Sequence, residues 1–154
     1  MPRVEANDPR LCWGGTASLE QGPSWTKPWR IPHEDQDLYS PGVSELAGRA
    51  ETASGVRLRF ATHATECTLH TEPLDEDGNF DLYADGDFVA TVDFVAGQTT
   101  TPFVDLPIGG KVVEIWLSQA MPVPVRSVEL PEGSSLERSE DNRLKWITYG
   151  SSIT

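Results

Sequence analysis

The sequence predicts an all-β fold, an antiparallel β-sandwich or jelly roll, and three observations lead to this prediction. Apolar residues do not recur at helical spacing over any long stretch, and prolines recur from Pro2 to Pro131. Several short runs alternate apolar and polar residues, which is typical of strands with one buried face. Because turn-forming residues return about every ten positions, we expect about seven to nine short strands packed as two sheets.

The strands are expected where apolar side chains occupy every second position. The positions expected to be buried are Val56, Leu58 and Phe60 in one run, Cys67 and Leu69 in the next, and Val113, Ile115 and Leu117 in a third. A last strand pair is expected to contain Val123, Val125, Val128 and Leu130. Pro122 and Pro124 interrupt this pair, and they suit an edge or a sheet-crossing position because proline donates no ladder hydrogen bond. Residues 43–50 predict a single helical turn and no more.

The strongest local signal lies in residues 80–94, where Asp85-Gly86 separates two alternating runs. Phe80, Leu82 and Ala84 line the first run, and Phe88, Ala90, Val92 and Phe94 line the second. A two-residue loop would pair Leu82 with Val89 and would split the apolar side chains between two faces. A three-residue loop, Asp85 to Asp87, pairs Leu82 with Ala90. Burial therefore favours the longer loop or a bulge.

Composition and charge limit the classes of function. The chain has 154 residues, enough for about one domain, and its formal net charge is −12. This charge argues against a nucleic-acid partner and against docking on an anionic membrane, because both need lysine and arginine. The first eight residues carry no apolar signal-peptide region, so we expect a cytoplasmic protein. Cys12 and Cys67 are expected to be buried free thiols in preference to a disulfide.

Several side chains that could form a site also have a purely structural role open to them. Trp13, Trp25 and Trp29 lie near the N-terminus, with Trp116 in a later strand. These rings could stack on sugars, or they could pack the sandwich or its contact with another domain, and packing is favoured. The acidic turn that begins at Asp75 lacks the spacing of a calcium loop, and the three histidines are scattered. We therefore predict no metal site and no cofactor.

The last part of the sequence changes character. Residues 130–142 are polar and rich in turn formers, which predicts a linker. The β-prone run Leu144-Lys-Trp-Ile-Thr-Tyr149 follows and leads into Gly150-Ser151-Ser152-Ile153-Thr154. A strand that ends in a small-residue turn bearing serine is one way to present a nucleophile, because glycine permits the tight turn and a following helix would stabilise negative charge. A polar tail after a strand is the structural alternative.

These residues resemble a known family. The block Trp146-Ile-Thr-Tyr-Gly-Ser-Ser-Ile-Thr154 is similar to the first signature block of SGNH/GDSL hydrolases, Gly-Asp-Ser-x-Thr at the end of their first strand. Phe80-Asp-Leu-Tyr83 resembles the Asp-Leu-Tyr motif of a small β domain placed before some members, and Pro28-Trp29-Arg30-Ile31-Pro32 fits the same layout. The resemblance implies an accessory β-sandwich in residues 1–132 and a linker in residues 133–143. Residues 144–154 would form the first strand and nucleophile turn of an absent α/β hydrolase domain.

The resemblance also implies acyl transfer with Ser152 as the nucleophile and with Ser151 at the position of the usual aspartate. Ser152 would attack an ester carbonyl, a histidine would take its proton, and an aspartate would orient that histidine. The Ser152 backbone N–H, a glycine N–H and an asparagine side chain would form the oxyanion hole. The family's Asp-x-x-His motif is missing, because Arg30, Phe60 and Cys67 stand three residues before the histidines. We therefore expect no catalysis by this chain alone.

Two functions of different classes remain open. In the first, the chain is the N-terminal accessory domain of an SGNH/GDSL esterase. Its partner is then a C-terminal catalytic domain, and the whole enzyme acts on a small ester or an acetylated sugar. In the second, the chain is a stand-alone carbohydrate-binding module with an incidental tail, and a truncated, non-functional product is a weaker third possibility. The coding sequence beyond Thr154 discriminates between them, because fold alone does not determine function.

Overall fold

The computed structural model describes residues 2–39 and 45–144, and it confirms the predicted antiparallel sandwich. The described part contains eleven strands where seven to nine were expected. They are β1 Arg3–Glu5, β2 Cys12–Gly14, β3 Ser18–Gln21, β4 Thr26–Trp29, β5 Arg57–Thr62, β6 Cys67–Thr71, β7 Gly78–Ala84, β8 Asp87–Phe94, β9 Thr100–Phe103, β10 Lys111–Trp116 and β11 Val125–Glu129.

These strands form two separate sheets. The first sheet has the order β3-β4-β11-β6-β9, with β1 also paired to β11. The second sheet has the order β2-β5-β10-β7-β8. All described strand pairs are antiparallel, and several neighbours, such as β5 and β10, are far apart in the chain. Because sequence-distant strands pair in both sheets, each outer face combines residues from several parts of the sequence.

The core lies between the sheets, and alternation along the strands supplies it. Leu58 and Phe60 on β5, Leu69 on β6, and Val113 and Ile115 on β10 are all 0% exposed, as the sequence predicted. Burial of each such side chain contributes about 1.5–3 kcal/mol, so these positions provide the main driving force for the fold. The residues between them on β5 and β10 point to the outer face of the second sheet.

The structure of the β7–β8 hairpin shows which of the two expected arrangements, a three-residue loop or a bulge, the chain adopts. Asp85 and Gly86 form a two-residue turn, with φ angles of 52° and 91°. Positive φ at both central residues is the requirement of a type I′ turn, which matches the twist of the strands. Leu82 still pairs with Ala90, because a register shift follows in the next pair. The hairpin therefore has the short loop together with the bulge.

The bulge changes the face on which Phe88 lies. Leu82 pairs with Ala90 but Tyr83 pairs with Phe88, so Val89 is the extra residue. The extra residue turns Phe88 to the outer face, where it is 58% exposed and its ring centroid lies 5.6 Å from that of Tyr83. The prediction that Phe88 shares a face with Val92 and Phe94 is wrong for this reason.

The last strand also differs from the prediction. A single strand, β11, replaces the expected strand pair, and it lies inside the first sheet between β4 and β6. Pro122 and Pro124 precede the strand, so they remove no hydrogen bond from its ladder. Val125 and Val128 are both buried because a register irregularity lies between Val125 and Ser127. The edge alternative is therefore wrong. The sheet-crossing alternative is right for the two prolines, because they lie in the connection from β10 of the second sheet to β11 of the first. The burial of the segment was predicted correctly.

The connection between β4 and β5 contains more helix than expected. It holds a 3-10 turn His33–Asp35, the short helix α1 Gln36–Tyr39 and the helix α2 Glu45–Glu51. The seven residues of α2 make about two turns, where the sequence predicted one. The backbone N–H of Arg30 donates to the carbonyl of Ala50 at 3.0 Å, and Ala50 is 6% exposed. This tertiary contact stabilises the second turn.

Both cysteines are free thiols. Cys67 is buried on β6, whereas Cys12 on β2 is only partly buried. Burial raises the pKa of the Cys67 thiol to about 12. The preference for free thiols is confirmed, but the burial expected for Cys12 is only partial.

Candidate functional site

Trp29, one of the three predicted binding tryptophans, packs inside the molecule. It is 2% exposed at the end of β4, and its Nε1–H donates to Oε2 of Glu20 at 2.7 Å. The Nζ of Lys27 lies 4.7 Å from the Trp29 ring centroid and 2.8 Å from Glu20. Burial acts to raise the pKa of Glu20, but the hydrogen bonds from Lys27 and Trp29 outweigh it and lower that pKa. Trp29 therefore has no open face for a sugar.

The other two tryptophans lie apart. Trp25 is half-buried over the turn between β3 and β4, where a Cβ on Gly22 would come within 2.1 Å of its ring. Trp13 lies on β2 of the second sheet, packs against the core, and donates from Nε1 to the carbonyl of Ala6 at 3.0 Å. The structure thus does not bring the three rings together, and sugar stacking by Trp13 or Trp25 stays a prediction.

Ser152, the predicted nucleophile, lies outside the described residues, as do all of residues 145–154. The described histidines each have a nearby polar partner. His33 Nδ1 lies 3.1 Å from Ser18 Oγ, His63 Nδ1 lies 3.0 Å from Ser135 Oγ, and His70 Nε2 lies 2.8 Å from Glu129 Oε2. These contacts link separate segments of the sandwich, so a structural role accounts for each histidine.

A buried carboxylate occupies the centre of the outer face of the second sheet. Glu114 on β10 is 2% exposed, although it alternates with the core residues Val113 and Ile115 and so lies on the outer face. Arg59 on β5 forms a short ion pair with Glu114 Oε1, and Arg57 Nε lies 3.6 Å from Oε2. The two arginines lie on the partner strand in register with β10. A buried charge needs such compensation, because desolvation of an unpaired carboxylate is costly.

Residues 134–143, which we name the crossing segment, run from the edge of β5 onto this face. The hydroxyl of Thr62 donates to the carbonyl of Ser135 at 2.7 Å, and Glu137 exchanges two 2.9 Å backbone hydrogen bonds with Ala61. Further along, Arg59 Nε donates to the carbonyl of Ser139 at 3.2 Å. The crossing segment is therefore anchored antiparallel to β5 over much of its length.

The crossing segment ends in the Glu114 cluster, defined as Glu114, Arg57, Arg59, Asp141 and Arg143. Arg143 Nη2 lies 2.6 Å from Glu114 Oε1, and Asp141 forms a short ion pair with Arg57. The hydrogen bond from Arg143, with that from Arg57, holds the pKa of Asp141 well below its usual range. The cluster ties the crossing segment to β5 and β10 at once.

Aromatic side chains lie beside this cluster. The ring centroids of Tyr83 and Trp116 are 6.1 Å apart, and Phe88 contacts the other side of Tyr83 in an edge arrangement. The guanidinium carbon of Arg57 lies 4.8 Å from the Trp116 ring centroid, within range of a cation–π interaction. We name Tyr83, Phe88 and Trp116 the aromatic face.

A shallow pocket of about 180 Å³ borders the aromatic face. Its lining comprises Gly55, Asn79, Asp81, Tyr83, Trp116, Leu117 and Gln119. Aromatic rings beside carboxylate and amide groups can accommodate a polar ring compound or a polypeptide surface. In the part of the chain that is described, no group of three or more metal-ligating side chains occurs. Likewise, no helix in residues 2–39 or 45–144 is long and apolar enough to cross a membrane.

Sequence reasoning did not find this site, although one signal pointed to it. Arg57, Arg59 and Glu114 alternate in the sequence with the core residues of β5 and β10, and this alternation indicates an outer face. Arg59 and Glu114 are 55 residues apart in the sequence, and nothing local shows that β5 pairs with β10. Only the sheet order brings the three charges together.

Comparison with known proteins gives one family and several related folds. The family model described as SsfX3, N-terminal domain, matches residues 11–123. Among solved structures, the salicylyl-acyltransferase SsfX3 from a tetracycline biosynthetic pathway is 34% identical, with a TM-score of 0.90. This match covers 99% of the present chain and 46% of that chain, so the present chain spans less than half of the acyltransferase.

More distant structures share the fold alone. A GDSL-like lipase from Bacteroides ovatus is 14% identical with a TM-score of 0.62, over 91% of this chain and 43% of that one. A family 35 carbohydrate-binding module from an environmental isolate is 12% identical with a TM-score of 0.58, over 91% of this chain and 100% of that one. A comparison with curated proteins gives no match.

Proposed function

Because the chain belongs to the family of SsfX3 N-terminal domains, we propose that it is the accessory domain of a two-domain serine acyltransferase or esterase of the SGNH/GDSL kind. The observation that carries this proposal is the match to SsfX3, which extends over nearly all of the present chain but under half of that enzyme. The GDSL-like block at Gly150-Ser151-Ser152 agrees with it, because this block opens the catalytic domain in the family that it resembles.

The proposed reaction is acyl transfer through Ser152. The Ser152 oxygen attacks the carbonyl carbon of a small ester or acetylated sugar, and a histidine takes the hydroxyl proton. The carbonyl reforms as the alkoxide leaving group departs with that proton, which leaves an acyl-serine. Water or a hydroxyl-bearing acceptor then attacks the acyl-serine and regenerates Ser152. The net result is hydrolysis of the ester or transfer of its acyl group.

The β-sandwich supplies none of the other catalytic groups in this proposal. Each described histidine lies in a contact within the sandwich, and none stands in an Asp-x-x-His motif. The histidine, the aspartate and the remaining oxyanion donors therefore come from the C-terminal domain. The role proposed for the sandwich is to border one edge of the active site.

Two measurements test the proposal. The coding sequence beyond Thr154 should continue into a helix start, glycine and asparagine blocks, and an Asp-x-x-His motif. The two-domain protein should then hydrolyse p-nitrophenyl acetate, and the 154-residue chain should not. Ser152→Ala should abolish turnover, whereas Ser134→Ala in the crossing segment should leave it unchanged. A stop codon directly after Thr154, or turnover by the 154-residue chain that Ser152→Ala removes, would overturn the proposal.

The second candidate function is carbohydrate binding by the sandwich itself. The observation that favours it is the 180 Å³ pocket, in which Trp116 and Tyr83 lie beside Asp81 and Asn79. Sugar rings stack on aromatic faces, and their hydroxyls bond to carboxylates and amides. Titration of the 154-residue chain with xylo- and cello-oligosaccharides should then quench tryptophan fluorescence, and Trp116→Ala should remove the change while Trp25→Ala retains it. Equal signals from both variants would contradict this assignment.

A further inference from the structure

We propose that the aromatic face of the second sheet is the surface on which the C-terminal hydrolase domain packs, with the crossing segment as the tether that sets its position. This inference rests on the proposed function, since it names the contact surface for the domain that the proposed function requires. Three observations on the described residues carry it: the course of the crossing segment, the exposure of the aromatic rings, and an unpaired indole N–H.

The course of the crossing segment gives the direction. It leaves the edge of β5 near Thr62, follows β5 back toward Arg57, and reaches Glu114 on the neighbouring strand through Arg143. Its last described anchor, Arg143, thus lies on the same face as Tyr83 and Trp116. Any domain that begins directly after residue 144 starts next to the aromatic face.

The exposure of the rings distinguishes this face from the outer face of the first sheet. Phe88 is 58% exposed although it lies within a strand, and it extends a surface formed by Tyr83 and Trp116. Both outer faces carry ion pairs, and those of the second sheet form the Glu114 cluster beside these rings. The first sheet has ion pairs of its own. These are Lys27 with Glu20 and Glu51, His70 and Arg3 with Glu129, and Arg126 with Glu72. What distinguishes the second sheet is a set of adjacent rings, with Phe88 exposed and Tyr83 and Trp116 half-buried. Such rings are typical of the centre of an interface.

The unpaired indole gives the chemistry of the contact. Nε1 of Trp116 is buried and has no hydrogen-bond partner among the described residues. The indoles of Trp13 and Trp29 each donate to an oxygen, at 3.0 and 2.7 Å. A buried donor without an acceptor is destabilising because it has lost its hydrogen bond to water, so an acceptor from a packed neighbour would stabilise it. The docked surface should therefore be apolar, with a carbonyl or carboxylate oxygen that reaches this indole after a small shift of the ring.

Hydroxyl-radical footprinting with mass spectrometry tests the inference on the 154-residue chain and on the two-domain protein. Tyr83, Phe88 and Trp116 should lose most of their modification in the two-domain protein. Trp25, on the first sheet, is the internal control and should be modified equally in both. Equal modification of Trp116 in both proteins, in a two-domain sample that hydrolyses p-nitrophenyl acetate, would overturn the docking surface while leaving the proposed function intact.

A pair of charge substitutions adds a second, independent readout. Phe88→Glu places a carboxylate on the aromatic face, and it should restore the modification of Trp116 in the two-domain protein to that of the 154-residue chain. Val104→Glu is the matched control, because Val104 is similarly exposed, at 55%, beyond the end of β9 in the first sheet. Equal Trp116 protection in both variants would contradict the inference. Protection of Trp116 only on addition of an oligosaccharide would assign the face to a sugar and overturn it as well.

Discussion

Arg143 of the crossing segment donates a hydrogen bond from Nη2 to Oε1 of Glu114 at 2.6 Å, at the centre of the second sheet. Glu114 has almost no exposed surface, whereas about half of the Arg143 side chain is exposed. The buried Glu114 carboxylate is therefore held in place by its surroundings, and it orients the more exposed side chain of Arg143, 14 residues after the end of β11. Glu114 on the central strand β10 thus helps to set the position of the end of the crossing segment.

Replacement of Glu114 should be among the most destabilising changes on an outer face. Glu114→Ala leaves the largely buried Arg59 without its carboxylate, and it leaves Arg57 with Asp141 alone. We expect a loss of about 2–3 kcal/mol in the free energy of unfolding, measured by urea denaturation. Glu132→Ala, at an exposed position, should change it by less than about 0.5 kcal/mol. Equal urea midpoints for the two variants would show that the cluster contributes nothing to stability.

The contribution of Asp141 should depend on pH. Its pKa in the folded chain is lowered from the ordinary 3.8 by Arg143 and Arg57, so its ionised form stabilises the fold above about pH 4. This stabilisation is lost as the pH falls through the lowered pKa. Asp141→Asn should cost about 1 kcal/mol at pH 7 and progressively less below pH 4.

The matched control for this pH series is Glu140→Gln. Glu140 is 64% exposed and pairs only with Arg138 nearby among the contacts described. Thermal melts between pH 2.5 and 7 should therefore show a gap between wild type and Asp141→Asn that closes in acid, and almost no gap for Glu140→Gln. A gap for Asp141→Asn that stays constant across this range would refute the ion-pair explanation.

Two glycine-to-alanine substitutions should have opposite effects. Gly86 has φ of +91° in the turn of the β7–β8 hairpin, so Gly86→Ala should destabilise the protein by about 1 kcal/mol. Gly48 lies on an exposed position of α2, and a Cβ there would meet nothing within 4 Å. Gly48→Ala should stabilise the protein by up to about 1 kcal/mol. Melting temperatures of the two variants and the wild type check both predictions. A shift in the same direction for both variants would contradict the opposite backbone effects expected at Gly86 and Gly48.

The two thiols should react at very different rates. Cys67 is buried and burial raises its pKa to about 12, whereas Cys12 is partly exposed on β2. Iodoacetamide at pH 8 should therefore add one label to the native chain, at Cys12, and two labels after unfolding in guanidinium. Intact-mass and peptide mass spectrometry give the count and the position. Rapid double labelling without denaturant would mean that β6 opens readily.

Much of the fold followed from local patterns, because alternation along a strand depends only on which side chains are apolar. Leu58, Phe60, Val113 and Ile115 were placed in the core on that basis and are fully buried. The bulge at Val89 was one of two alternatives that burial allowed, and only the observed register shift distinguished them. The position of β11 inside the first sheet was missed, since a pattern shows that a segment is apolar but not which strands flank it.

The candidate site, like the fold, was predictable from the sequence only in part. Local patterns were enough to predict the all-β class, the core positions and the resemblance of the block around Ser152 to a hydrolase nucleophile. The burial of Trp29 became visible only in the folded chain. So did the arginines from β5 and the crossing segment around Glu114, and the face shared by Tyr83, Phe88 and Trp116. The difference lies in the distance along the chain between the residues that interact. Turns and alternation arise between neighbouring residues, whereas a buried charge cluster and an aromatic face require sequence-distant strands to pair in one register.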